Sequence, residues 1–148
     1  MKALITGASG EIGAAIAENL AASSVTLYLH YHSNRGRVQC VRQACEAKGA
    51  EVYCVEADLS KADGADLLLS QLLSPIDTLI HVAGHSLQGI FTSLTDDQMM
   101  DLMMIHLMNP MKISRALLPA MIQQKSGKII GVSSIWGVTG ASNEVAYS

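Results

Sequence analysis

Five short apolar runs recur along the chain, separated by longer stretches whose apolar residues fall at helical spacing. That alternation constrains the fold more than any single motif, because a strand buried on both faces reads as a continuous apolar run and must be covered by helices on each side. The runs are Lys2 to Thr6, Val25 to Tyr31, Glu51 to Glu56, Asp77 to Val82 and Lys128 to Val132. They predict a parallel sheet built from βα units.

The intervening stretches carry the marks of helices. Glu11 to Ala22 places Ile12, Ile16 and Leu20 on one stripe, and a second helix over about Gly36 to Lys48 is closed by Gly49. Ser60 is expected to N-cap a third helix reaching to about Leu73. Thr95 followed by Gln98 makes a capping box for a long helical stretch to about Gln124, which Pro110 should break or bend. After the fifth strand a last helix is expected to begin near Ser142. The fold class is α/β, a doubly wound parallel sheet in a three-layer αβα arrangement. Residues 1–148 read as a single dinucleotide-binding domain, incomplete at the C-terminus because no sixth strand follows.

With 148 residues and a formal net charge of -3, the chain offers one domain and no basic surface for a phosphate backbone, so nucleic acid is not an expected partner. Cys40, Cys45 and Cys54 form no CxxC pair and read as reduced thiols. No stretch approaches the ~18 apolar residues of a membrane span. The protein is therefore expected to be soluble and cytoplasmic, with no membrane partner.

Directly after the first run comes TGASGEIG, with Gly7, Gly10 and Gly13 at every third position and a helix starting within it. Glycines there permit a tight turn and let backbone N–H groups approach a pyrophosphate at the positive end of the helix dipole. The end of the second run, LHYHSNRGR, distinguishes the cofactors. An acid at that place would bind ribose hydroxyls and favour NAD, whereas in this chain there is none and Arg35 and Arg37 follow, which favours NADP(H). The alternative is that both arginines only solvate a helix start. His30 and His32 lie two apart on one strand, but no third ligand is spaced to join them, so they read as core or edge histidines and no metal site is expected.

Taken together, TGASGEIG, ADLS with Asp58, HVAG after the fourth run and VSS after the fifth, followed by Tyr147 thirteen residues beyond Ser134, resemble the short-chain dehydrogenase/reductase family over essentially the whole chain. The resemblance implies a Rossmann-type fold and, among relatives, is strongest to the β-ketoacyl-[acyl carrier protein] reductases. SSIWG and GASNE before YS also look like the subgroup that reduces 5-aminopentanone on a lysine of elongation factor P. The implied activity is NADPH-dependent reduction of a small-molecule or carrier-bound carbonyl by hydride transfer, in a homodimer or homotetramer when complete. The implied cofactor residues are Gly7, Ser9, Gly10, Ile12, Gly13, Ser33, Asn34, Arg35, Asp58, Leu59, Ala83 and Gly84.

By the same resemblance Ser134 would hydrogen-bond the carbonyl oxygen as charge develops, and Tyr147 would donate the proton. The family places a lysine cation four residues after that tyrosine, a position beyond Ser148, so the 148 residues alone are expected to be inactive. Three departures from the compact subgroup stand out. Glu11 occupies the usual place of the middle glycine and is expected to face solvent; His81 and Val82 replace two asparagines; and His106 falls where an asparagine steadies a relay water. His106 reads equally well as a histidine packed on a helix. Other readings of the whole are a catalytically inactive nucleotide-binding fragment and a truncated nucleotide-sugar epimerase of the extended subgroup, whose glycine spacing the turn shares. The methionines crowded into Met99 to Met111 read as core or as a subunit contact.

Overall fold

The computed structural model describes residues 1–148. The five apolar runs become β1 (Lys2–Ile5), β2 (Thr26–Tyr31), β3 (Glu51–Glu56), β4 (Thr78–His81) and β5 (Lys128–Gly131), all parallel, in the order β3-β2-β1-β4-β5. The order reverses between β1 and β4. A parallel sheet opens a crevice at such a reversal, above the carboxyl ends of its strands.

Alternation along each strand divides the core. Ala3 and Ile5 of β1 join Leu27 and Leu29 of β2 under α1 (Glu11–Leu20) and α2 (Arg35–Glu46). Leu4, Tyr28 and Leu79 face the other way, beneath α3 (Gly64–Ser70) and α5 (Asn109–Gln123). This is the expected three-layer arrangement. The buried face of α1 is small, Gly13, Ala14 and Ala17, which draws the helix close to the sheet. Ile16 and Leu20 pack against that core, but Ile12, expected on the same stripe, is 56% exposed and lines the crevice above the sheet.

Of the other local expectations, some are met and some are corrected. Asn34 caps α2 by accepting the Arg37 N–H, so the helix starts slightly earlier than expected. Ser60 does not cap α3. Its N–H and hydroxyl both donate to Asp58 Oδ1, at 2.9 and 2.8 Å, and the cap position falls to Asp63. The capping box of Thr95 and Gln98 is formed at the start of α4 (Asp96–Met103). Between α4 and α5 the backbone widens into a π turn over Met104–Met108, which leaves Pro110 in the first turn of α5, where its missing N–H costs nothing. The long stretch is thus interrupted beside Pro110, as expected, and a π turn takes up the break. The helix expected near Ser142 is not formed: a short α6 (Trp136–Thr139) precedes it, and residues 141–148 form turns.

Candidate active site

The crevice over the β1–β4 reversal contains two adjoining cavities, one of about 770 Å³ and one of about 480 Å³, that share Ile12, Val82, Ala83, Gly84, His85 and Ile105. The smaller lies over the glycine turn. Gly7, Ser9, Gly10, Ile12, Gly13, Asp58 and Leu59 all line it, so the structure brings most of the expected cofactor residues together.

Each glycine of the turn has its own reason. Gly7 has φ +68°, and a β-carbon there would lie 2.8 Å from the Ala83 α-carbon. A β-carbon on Gly13 would run into the Gly7 carbonyl. Gly10 is different: its β-carbon would meet only the Gly7 oxygen, at 3.3 Å, so the chain's own packing does not require glycine there. Gly10 is also the N-cap of α1, and no side chain caps that helix. Its first-turn N–H groups therefore face the cavity without intrahelical partners, a cradle suited to a phosphate group. Glu11 is exposed at the rim, as expected.

Behind the turn, Thr6 is buried and its hydroxyl oxygen accepts the N–H groups of Val82 and Ala83, each at 3.0 Å. This clamp sets the floor shared by both cavities. His30 is also buried, and burial lowers its pKa from 6.5 to about 4, against the raising effect of its hydrogen bond to the Ala57 carbonyl. Sequence reasoning singles out neither Thr6 nor His30 for the site. Threonine before a glycine turn is a visible signal, whereas a buried histidine on an inner strand is not.

At the far end, His32 and Asp58 lie 3.6 Å apart. Burial alone would raise the Asp58 carboxyl, but the two Ser60 hydrogen bonds and the nearby His32 and Lys61 outweigh it and hold the pKa below the usual carboxylate range. Ser33, Asn34 and Arg35 do not line this cavity: Asn34 is occupied as a helix cap and Arg35 opens α2. His32, from the same strand end, lines it instead.

The larger cavity holds Ser134, Tyr147 and His106 together. Ser134 follows β5, and its hydroxyl oxygen accepts the Trp136 N–H at 3.2 Å. His106 lies in the π turn, its Nε2 2.9 Å from the His85 carbonyl oxygen, and its ring meets Tyr147 edge-on with centroids 5.3 Å apart. His81 pairs through Nε2 with the Ser114 hydroxyl at 3.0 Å; its Nδ1 is buried without a partner, and burial lowers its pKa. Glu144 also lines this cavity, where Gln88 donates to its carboxylate at 3.1 Å; no lysine or arginine does.

A five-stranded parallel sheet in this order, with a glycine turn at the reversal, defines the doubly wound nucleotide-binding class. Within that class, the chain belongs to the short-chain dehydrogenase family, whose model matches residues 1–148. It is 44% identical over 147 residues to the uncharacterized oxidoreductase YmfI of Bacillus subtilis, covering 99% of this chain and 61% of that one. It is 27% identical to the 3-oxoacyl-[acyl-carrier-protein] reductase FabG of Staphylococcus epidermidis, covering 98% of this chain and 61% of that one. The fold superposes with a TM-score of 0.87 on a 3-oxoacyl (acyl-carrier-protein) reductase of Agrobacterium tumefaciens solved with NADP bound, 30% identical, covering 99% of this chain and 57% of that one. The chain thus spans about 61% of the length of the curated relatives it matches.

Proposed function

We propose that these 148 residues form the cofactor-binding half and the hydroxyl pair of an NADPH-dependent carbonyl reductase. The observation that carries this reading is that Ser134 and Tyr147 share a cavity whose floor, Val82 to Gly84, continues into the phosphate cradle. The family, and relatives solved with NADP or NADPH bound, support it. A bound dinucleotide would supply a hydride to a carbonyl carbon. The Ser134 hydroxyl would donate a hydrogen bond to the carbonyl oxygen as it gains charge, and Tyr147 would pass its phenolic proton to that oxygen. His106, edge-on to Tyr147, is placed to hold the tyrosine ring or a relay water beside it. His32 lining the adenosine end, with Arg35 just beyond and no acid closing the LHYHSN run, favours the 2'-phosphate of NADPH over NADH.

No lysine or arginine lines the larger cavity, so no fixed cation stabilises the phenolate that Tyr147 becomes. Reduction by the 148 residues alone is therefore expected to be slow, while the phosphate cradle that NADPH binding draws on lies within them. The test is oxidation of NADPH by acetoacetyl-coenzyme A, using the protein as its gene encodes it and the 148-residue chain in parallel. Turnover by the gene product that Tyr147→Phe and Ser134→Ala each reduce by at least about a hundredfold is the expected result. Comparable rates in the variants, or family-like turnover by the 148 residues, would overturn these roles.

Glu144 favours a second substrate reading. It is the one acidic side chain on the catalytic cavity, and a carboxylate there attracts a cationic carbonyl compound and repels an anionic one. An aminoketone carried on a protein side chain fits that charge better than an acyl thioester. Glu144→Gln should then slow reduction of a short aliphatic aminoketone while leaving acetoacetyl-coenzyme A unaffected or improved. For assembly, the relevant surface is an apolar stripe, Met100, Met103, Leu107, Met111, Leu118 and Ile122, all exposed along α4, the π turn and α5. We read it as the homodimer contact, tested by whether Leu107→Glu lowers the sedimenting mass.

A further inference from the structure

The His30 imidazole takes no part in the chemistry of Ser134 and Tyr147, yet it joins three strand ends at one point. The Gly7 N–H donates to Nδ1 at 3.0 Å, and Nε2 lies 3.0 Å from the Ala57 carbonyl oxygen. An amide N–H can only donate and a carbonyl can only accept, so Nε2 carries the proton and Nδ1 the lone pair. One neutral tautomer satisfies both partners. The backbone of the same residue takes the next N–H of the turn, Ala8 to the His30 carbonyl at 2.8 Å. His30 thus holds two successive amides of the turn through its ring and its own carbonyl. The side chain is almost wholly buried, and that burial keeps it in the accepting form.

We propose that His30 is a positioning residue for the dinucleotide pyrophosphate: it fixes the left-handed Gly7 turn against the end of β3, so that the first-turn N–H groups of α1 stay aimed into the cavity. This rests on the dinucleotide reading of the site. The adenosine end does not depend on the ring in the same way. Ala57 is separately held by its own N–H to the Tyr31 carbonyl at 3.1 Å, and Asp58 by Ser60. Losing the imidazole therefore frees the phosphate turn while β3 keeps its place.

The experiment compares two ligands that share the 2'-phosphate and adenosine but differ in the pyrophosphate: NADPH and adenosine 2'-monophosphate, each titrated calorimetrically into wild type, His30→Leu and His30→Gln. In His30→Leu, NADPH should bind at least about tenfold more weakly and adenosine 2'-monophosphate within about threefold of wild type, on the loss of one buried hydrogen-bond partner. The amide of His30→Gln, an acceptor and a donor on one side chain, should recover NADPH binding to within about threefold of wild type. Unchanged NADPH binding in His30→Leu, or parallel loss of both ligands, would overturn the proposal.

If His30→Leu does not fold, His30→Met, closer to the imidazole in length and offering the Gly7 N–H only a weak thioether acceptor, is titrated with the same pair of ligands. Selective loss of NADPH affinity in that variant supports the proposal, and unchanged NADPH binding or parallel loss of both ligands contradicts it. Failure of wild type to bind NADPH would instead remove the dinucleotide reading and the proposal with it.

Discussion

The ring of His106 lies directly against the α-carbon of Gly84, so closely that a β-carbon on Gly84 would overlap Cε1. Gly84 lies in the loop that follows β4, whereas His106 comes from the π turn between α4 and α5. Their contact fixes where the imidazole sits relative to Tyr147. Gly84→Ala should push the ring away, break the Nε2 hydrogen bond to the His85 carbonyl and lower reductase turnover by roughly tenfold to a hundredfold, the scale of a misplacement near 1 Å. The check is turnover of the gene product together with the His106 ring resonances by NMR. Both should move.

Gly10 and Gly13 make a matched pair. A methyl at Gly13 meets the Gly7 carbonyl and lies 2.9 Å from the Ala8 α-carbon, so Gly13→Ala should cost at least about 1–3 kcal/mol in thermal or urea unfolding. A methyl at Gly10 presses only on the Gly7 oxygen, at 3.3 Å, which must give by a few tenths of an ångström. Gly10→Ala should cost about 1 kcal/mol or less as an N-cap change, yet weaken NADPH binding at least about tenfold by filling the approach to the phosphate. Equal effects of the two substitutions on stability would refute the distinction.

Stability should fall on the acid side of neutrality. His30 is held neutral, its folded pKa about 4 against an ordinary 6.5, so between those values the unfolded chain binds a proton that the folded chain refuses. The stabilisation is complete above pH 6.5 and is lost progressively as pH falls to about 4, a change on the order of 3 kcal/mol. His81, also lowered by burial, acts with the same sign, and Asp58 loses its contribution only at still lower pH. Urea unfolding from about pH 7.5 to pH 4.5 checks this, and His30→Gln should flatten the slope.

The five strands are legible in the sequence because a strand covered on both faces is a nearly unbroken apolar run, and the capping box at Thr95 because both its partners are local. What escapes sequence reading depends mostly on contacts beyond the local pattern. Ser60 has the chemistry of a cap, but Asp58 two residues earlier captures its hydroxyl. Pro110 marks where the helix is interrupted, but the π form of that interruption has no single-residue signature. Ile12 leaves its helical stripe to line the crevice, a role set by the sheet and not by the helix. His30 and His32 read alike, and only the placement of β2 between β1 and β3 buries one under the glycine turn and leaves the other on the wall of the smaller cavity. Of the candidate site, the glycine turn, Asp58, Ala83, Gly84, Ser134, Tyr147 and His106 follow from local pattern and family resemblance. Thr6 adjoins the glycine turn and is visible there, whereas His30, His32 and Glu144 need the fold.

Whether this fold holds NADPH is read most simply by fluorescence titration of the folded 148-residue protein with NADPH and, separately, NADH. Saturable NADPH binding, at least about tenfold tighter than NADH and lost in Gly10→Ala, is the predicted result. Absence of saturable binding by a cooperatively folded sample, or tighter binding of NADH, would contradict it.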